Sequence, residues 1–359
     1  MVNKKLQQVA AQFAGHQTAL AIEPLGNGLI NDTYRVRSNS QEFVLQRINP
    51  QVFPQPQLVM DNLIQLGRHI QQKPTAKVFL QIPELLPTQP GEPFYLDDDE
   101  QLWRALQLIQ PAESRNRIHH IDEAGQIGFA LAHFHHLCAD LCPSLLHDTL
   151  PGFHITPGYL LEYKRLIEQP LQIISDEAFE KCIDFIETHQ GKTDVLEDAK
   201  TSGALQERVI HGDPKLNNFL FEPGSTRIVS LIDLDTVKPG LLHYDIADCL
   251  RSCCHDKHSN RFDLERCRVI LQNYLRESGD FFSAQDCDYL YDAIWLIPFE
   301  LGLRFFNDYL SGDRYFKTAE PQQNLTRALA QFALCDSIEQ QQASLQRCIS
   351  HLKGLHLSR

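Results

Sequence analysis

The sequence predicts an α+β fold with a small β-rich N-lobe and a larger, mainly helical C-lobe. Three observations carry this. Residues 19 to 48 alternate apolar and polar side chains in short runs, as antiparallel strands with one buried face do. From Ile121 onward the apolar residues recur at helical spacing. Between residues 207 and 240 a second set of short β-type runs, parted by Pro and Gly, interrupts the helical text. A length of 359 residues agrees with two lobes, since a domain takes roughly 150.

The elements follow in order. ALAIEPL, a GNG turn, NDTYRVRS and EFVLQRI form an antiparallel meander, which Pro50, Pro54 and Pro56 end. LVMDNLIQLGRHIQQ then places Leu58, Val59, Leu63, Leu66 and Ile70 on one helical face. Two further strands, Phe94 to Leu96 and Trp103 to Ile109, flank the acidic turn DDDEQ, and the first lobe, residues 1–110, closes there. The second lobe, 111–359, opens on IDEAGQIGFALAHFHHLCADL, whose Asp122 and Glu123 suit the first turn of a buried helix. The weakly apolar stretch 191–206 reads as a surface connection, and from Tyr244 to Arg359 the chain reads as helical.

Composition narrows the function. Lys plus Arg number 33 and Asp plus Glu 46, a net charge of −13 that argues against nucleic acid as a partner. No run of 18 apolar residues is present and the N-terminus lacks the apolar core of a signal peptide, so a cytoplasmic protein without membrane attachment is expected. Ten cysteines in such a chain are expected to be reduced; Cys138 with Cys142, and Cys249 with Cys253, share a helical core-face period.

The densest polar cluster in an apolar setting runs from His211 through Gly212, Asp213, Pro214 and Lys215 to Asn218, with Asp233 fifteen residues further on. An aspartate beside a hydroxyl, with Asn218 and Asp233 offering oxygens to a hard cation, supplies what phosphoryl transfer from a nucleotide needs. Gly26, Asn27 and Gly28 sit between two strands, where glycine lets backbone N–H groups approach phosphate; Asn31 and Thr33 add side-chain donors. Trp295, Phe299, Glu300, Arg304 and Asp308 recur at helical spacing, either as one wall of a sugar cleft with Arg304 and Asp308 on the substrate, or as a solvated ion ladder. The spacing of His133, His135 and His136 argues against a metal there, and helix packing already accounts for Cys249, Cys253 and Cys254 beside His255 and His258.

These motifs resemble the aminoglycoside-phosphotransferase and choline-kinase-like group, relatives of the protein kinases. Its H-G-D-x-x-x-x-N loop is matched by His211 to Asn218, its I-D segment by Ile232 and Asp233, and its later D-x-A element by the segment holding Asp245. The resemblance implies a bilobal protein-kinase-like fold and an ATP- and Mg²⁺-dependent transfer to a small-molecule hydroxyl. It implies that Asp213 orients the attacking hydroxyl and accepts its proton, that Asn218 and Asp233 hold magnesium, that His211 is structural, and that Asp245 braces the loop. It also makes the run ending at Gln110 similar to the adenine-binding hinge, with an ordinary edge strand as the alternative. Protein kinases place a lysine on the strand matched by FVLQRIN, where this chain has Gln46 and Arg47 on opposite faces; Arg47 is chosen for its charge, while alignment along the strand favours Gln46. The following helix offers Asp61 as its only acid.

Within the group, GNGLINDTYRV, FVLQRIN, LIDLDTVKPG and ELGLRFFNDYLSGDRYFK are most similar to the N-acetylhexosamine 1-kinases, with departures at Gly212 and Pro214. An amino sugar phosphorylated at its anomeric hydroxyl, by a monomer or homodimer, is the resulting expectation. The alternatives are a kinase of an amino alcohol, methylthioribose, homoserine or aminoglycoside, and a nucleotide-binding regulator without catalysis.

Overall fold

In the computed structural model the described residues are 4–14, 21–26, 30–39, 41–169 and 176–358. The meander forms as expected: β1 (Ala21–Pro24), β2 (Asp32–Arg37) and β3 (Glu42–Arg47) are antiparallel neighbours in that order. With β4 (Leu85–Leu86), β5 (Tyr95–Leu96) and β6 (Leu102–Gln107) they make one six-stranded sheet. β6 pairs with β3, β4 and β5, so it is an interior strand, and it ends two residues before Ile109.

The period of two splits the sheet into faces. Val36, Phe43, Leu45, Trp103 and Ala105 pack on Val9, Ala10 and Phe13 of the helix α1 (Lys4–Phe13). That helix is absent from the sequence reading; its polar residues leave only three buried ones, Val9, Ala10 and Phe13. On the opposite face the register sets Thr33, Gln46 and Arg104 side by side across β2, β3 and β6. The helix α2 (Pro56–Gln71) follows β3, burying Val59, Met60, Leu63, Leu66 and Ile70, with a proline in its first turn where no N–H is lost.

The remainder is mainly helical: α3 (Ile121–Cys138), α4 (Thr156–Ile167), α5 (Glu177–His189), α6 (Val195–Thr201), α7 (Leu242–Cys254), α8 (Leu264–Ser278), α9 (Ala284–Asp288), α10 (Leu290–Leu310), α11 (Gln323–Gln340) and α12 (Gln342–Leu357). Residues 191–206 are therefore not a bare connection, because α6 buries Leu196 and Ala199. α3 packs on α8 so closely that a Cβ on Gly128 would lie 2.1 Å from the Ile270 carbonyl oxygen, which leaves glycine as the residue that fits. Five short strands interrupt the helices around the segment 207–240. β7 (Glu113–Ser114), β9 (Phe219–Phe221) and β10 (Ile228–Leu231) form one sheet; β8 (Arg208–Ile210) pairs with β11 (Lys238–Gly240). A small hairpin, β12 (His255–Asp256) with β13 (Arg261–Phe262), breaks the helical text after Tyr244. The architecture is thus a mixed α+β fold, sheet-rich toward the N-terminus and helical toward the C-terminus.

Among the described residues no helix is long and apolar enough to cross a membrane. All ten cysteines are free thiols. Cys249 and Cys253 are buried on α7, whereas Cys142 lies past the end of α3, is exposed, and shares no core face with Cys138.

Candidate active site

The candidate site is built from two loops, one leading from β8 into a 3₁₀ turn and one from β10 into a second turn. Pairing of β8 with β11 brings both loops to one place. The first is fixed from below by α7. Asp245, fully buried near the start of that helix, accepts the backbone N–H groups of His211 at 2.6 Å and Gly212 at 2.8 Å. His135 on α3 donates to the same carboxylate at 2.8 Å, and its other nitrogen meets the Tyr274 hydroxyl at 2.7 Å. Burial alone would raise the Asp245 carboxyl; the hydrogen bond from His135 and the nearby histidines outweigh it and hold it low. About two turns later Ser252 accepts the N–H of Leu216 at 3.0 Å. Gly212 takes φ +89°, and a Cβ there would come to 2.6 Å from the Thr236 carbonyl oxygen, so this position requires glycine.

His211 points inward, its Nε2 on the Ile232 carbonyl at 3.0 Å and its Nδ1 accepting the Asp213 N–H at 3.2 Å, so it joins the two loops. Asn218 donates through Nδ2 to the Asp213 carbonyl at 2.7 Å, which leaves its amide oxygen without a protein donor among the described residues. Asp233 stands opposite in the left-handed region at φ 69°, a strained position for a non-glycine residue, and its side chain is 40 % exposed. Between them lies Lys215, to which the sequence reading assigned no role. It pairs with Asp213 and stands 3.8 Å from Asp233. Burial works against the Lys215 ammonium, but the carboxylates of Asp213 and Asp233 push its pKa up; burial pushes the Asp213 carboxyl up, against the pull of Lys215. A carboxylate and a bare amide oxygen form a hard donor pair that fits a divalent cation completed by phosphate and water.

The sheet contributes the other wall. Gln46, not Arg47, faces it. The Gln46 amide oxygen accepts from Arg104 at 2.7 and 3.1 Å, and its nitrogen donates to the Thr33 hydroxyl at 3.1 Å. Arg47 lies on the opposite face, paired with Asp32, because side chains alternate along β3. The Asn31 amide is engaged within the protein: its nitrogen donates to Asp235 at 2.6 Å and its oxygen accepts the Asn49 N–H at 3.0 Å. Asp61 of α2 is turned to solvent near His147, while the neighbouring Asn62 is buried against the carbonyls of His147 and Val237. Gly26 adopts φ 71°, a glycine conformation; Asn27 and Gly28 lie outside the described residues. Gln110 is exposed, and among the described residues no backbone group from Leu108 to Gln110 is engaged in a hydrogen bond.

Opposite Asp213 the helix α10 presents Arg304. Its guanidinium lies over Phe153, Tyr159, Phe316 and Tyr315 at 4.8, 5.4, 5.6 and 5.9 Å from the ring centres. It is near enough to Asp213 for the two charges to attract, and no carboxylate pairs with it among the described residues. The ion ladder that the spacing left as the alternative does not form among these residues. Glu300 turns away, buried on His154 at 3.1 Å and Thr156 at 3.0 Å. Asp308 is buried and accepts the N–H groups of Arg314, Tyr315 and Phe316, so it folds the loop carrying two of the rings and does not face the cleft. Trp295 and Phe299 belong to the core. His154, a second residue that pattern reading missed, has φ 68° and sets its ring between Glu300 and the Gly212 carbonyl at 2.9 Å.

His133 is occupied by the Phe79 N–H and Glu277, and Cys249, Cys253 and Cys254 are packed into the core on α7, which lies against α10 and α8. Among the described residues no three His, Cys, Asp or Glu side chains converge as a metal cluster.

Solved structures share this fold along nearly the whole chain. A microcompartment-associated aminopropanol kinase is similar with a TM-score of 0.68 at 16% identity, covering 95% of this chain and 98% of its own. An amicoumacin kinase solved with AMP-PNP and Ca²⁺ gives 0.61 at 13%, covering 95% and 94%. The choline kinase of Cryptosporidium parvum Iowa II gives 0.59 at 14%, covering 94% and 93%. The model of the phosphotransferase enzyme family, APH, matches residues 21–279, the stretch that holds the sheet, both loops and the Asp245 brace. With that span matched, the chain belongs to the APH phosphotransferase enzyme family and is a small-molecule phosphotransferase.

Proposed function

We propose that this enzyme transfers the γ-phosphoryl group of ATP to a sugar hydroxyl, the anomeric hydroxyl of an N-acetylhexosamine being the acceptor that its cleft suits. One observation carries the acceptor class: the Arg304 guanidinium, unpaired among the described residues and ringed by four aromatic side chains across from Asp213. A fixed cation at the acceptor wall repels an ammonium-bearing alcohol and suits a neutral, carbonyl-bearing one, while the rings offer faces on which a pyranose stacks. The names of the aminopropanol and choline kinases denote cationic acceptors, so the likeness to them supports the transfer chemistry and not the choice of acceptor.

In this reading Asp213 orients the attacking hydroxyl and takes its proton. Lys215, beside it, balances the charge on the transferred group. Asn218 and Asp233 are the residues that would hold magnesium, which when bound neutralises phosphate charge and aligns the β- and γ-phosphoryl groups. The free N–H of Gln46 and the Thr33 hydroxyl face the phosphates in place of a lysine, the glycine-rich segment Gly26-Asn27-Gly28 is assigned to the same phosphates from its sequence, and the open backbone before Gln110 takes the adenine. The lobe boundary near residue 110 falls at that hinge.

The test is an acceptor panel with ATP consumption measured and the product examined by phosphorus NMR. N-acetylglucosamine or N-acetylgalactosamine is expected to give a higher kcat/KM than glucose, choline, aminopropanol or homoserine, with the product phosphate coupled to the anomeric proton. Turnover confined to cationic alcohols removes the sugar reading and leaves the phosphotransferase standing.

A further inference from the structure

The strand lysine and helix glutamate of protein kinases are both missing here, yet a buried ion pair does join the sheet to the metal-binding loop. Arg104 on β6, 1 % exposed, pairs with Asp235, 3 % exposed, two residues beyond Asp233. The same guanidinium holds Gln46, which holds Thr33; the other oxygen of Asp235 accepts from Asn31, and its backbone carbonyl accepts from Thr149 at 3.0 Å. One carboxylate therefore fastens the loop after β10 to β3 and β6 through Arg104 and to the start of β2 through Asn31. On the other side of Asp233, Ile232 is fixed by the Asn218 carbonyl at 2.9 Å and by His211. Asp233 is thus clamped from both sides, which is what a left-handed aspartate needs to persist. Arg104 Nη1 is also buried without a hydrogen-bond partner, unlike an arginine placed only for structure, whose donors are normally all satisfied.

The geometry points to Arg104 as the positioning residue for the metal and phosphate end of the nucleotide: it cancels the charge of Asp235, fixes the backbone that carries Asp233, and sets the Gln46 amide toward the phosphates. This rests on the assignment of Asp233 as a metal ligand. The pair does the joining work of the missing lysine and glutamate from different elements, the cation one strand over and the anion on the metal loop.

The test compares Arg104→Met, the double variant Arg104→Met/Asp235→Leu, and Asp233→Asn with the parent, all as full chains. Magnesium activation is measured at saturating ATP, and calorimetry follows binding of Mg·ADP and of adenosine. Residues that orient a metal ligand typically change metal affinity or activity by roughly 10- to 100-fold, so Arg104→Met is expected to need at least ~10-fold more magnesium and to bind Mg·ADP correspondingly worse. Adenosine, which has no phosphate, is expected to bind within about twofold of the parent. The double variant, with an apolar pair replacing the ionic one, is expected to fold at least as stably as Arg104→Met and to keep the metal defect. A double variant with parental metal dependence, or equal losses of adenosine and Mg·ADP, makes the pair purely structural and overturns the inference. Unchanged metal dependence in Asp233→Asn removes the metal assignment itself; an impaired Asp233→Asn beside a normal Arg104→Met removes Arg104 alone.

Discussion

Nε2 of His135 lies 2.8 Å from the Asp245 carboxylate, a buried pair formed across 110 residues of chain, and through it α3 and α7 jointly fix the loop that carries Asp213. Removing Asp245 strands three donors at once: the N–H groups of His211 and Gly212, and the His135 ring. Asp245→Asn cannot accept all three, because one of its terminal atoms is itself a donor. Breaking a buried pair by removing one partner costs about 3–5 kcal/mol, and urea unfolding is expected to show a loss of that order. The activity of the folded variant is expected to drop at least ~10-fold through misplacement of Asp213.

Asp213→Asn tests the chemistry rather than the scaffold. A positioned base contributes roughly 10²- to 10⁴-fold in rate, so kcat is expected to fall by that factor while calorimetry shows near-parental ATP affinity. The contact with Lys215 survives as a hydrogen bond from its ammonium to the amide oxygen, so the fold should tolerate the change. A variant that keeps more than about a tenth of the parental kcat removes Asp213 from proton transfer.

Legibility in the sequence followed the range of the interactions. The meander, α2, α3 and the loop from His211 to Asn218 were readable because alternation, helical spacing and a contiguous motif are local signals. α1 and α6 were not, since each buries only two or three residues and owes its place to what it packs on. Which of Gln46 and Arg47 faces the loops was hidden for a related reason. Charge argued for Arg47, but the face of β3 turned toward the loops is fixed by Arg104, 58 residues from Gln46, and by Asp235 beyond it. Likewise Glu300, Arg304 and Asp308 carry ideal ladder spacing, and only the tertiary partners His154, the aromatic rings and the 313–316 loop send each elsewhere.

His154 makes stability depend on pH. Both ring nitrogens face acceptors, Glu300 Oε1 and the Gly212 carbonyl, which favours the doubly protonated ring; Asp248 adds a further negative charge and the Tyr244 ring stacks on it. Burial works against that charge, but Glu300 outweighs it and the pKa is raised above 6.5. The stabilisation is therefore complete below the ordinary histidine value and fades as pH rises through the folded one. Thermal unfolding from about pH 5.5 to 9 is expected to show the parent losing more stability toward alkaline pH than His154→Gln, which has no proton to lose. Parallel profiles for the two would show that the ring is neutral.

Thiol labelling reads out burial. Cys142 is exposed, and the hydrogen bond with Ser144 lowers its pKa, so it is expected to react first in the native protein. Cys138, Cys249, Cys254, Cys267 and Cys335 are pushed up by burial and are expected to label only on unfolding. All ten are expected to label after denaturation without reductant. A native protein in which a buried thiol outruns Cys142 contradicts this packing.

Arg304 separates the acceptor from the nucleotide. Its four ring contacts are each worth about 0.5–1 kcal/mol, and they hold the guanidinium without spending its hydrogen bonds, which in the proposed reading go to the acceptor. Arg304→Ala is expected to raise the KM for N-acetylhexosamine and lower kcat/KM by at least ~100-fold, as happens when buried polar groups lose a partner, with the KM for ATP nearly unchanged. Asp308→Asn acts through Tyr315 and Phe316, so it is expected to weaken acceptor binding less and to lower the melting temperature as well. The same Arg304→Ala variant is expected to lose its discrimination against choline and aminopropanol, because the repelling cation is gone. If cationic alcohols remain excluded while N-acetylhexosamine turnover persists, selectivity resides in another wall of the cleft and Arg304 serves only to pack the rings.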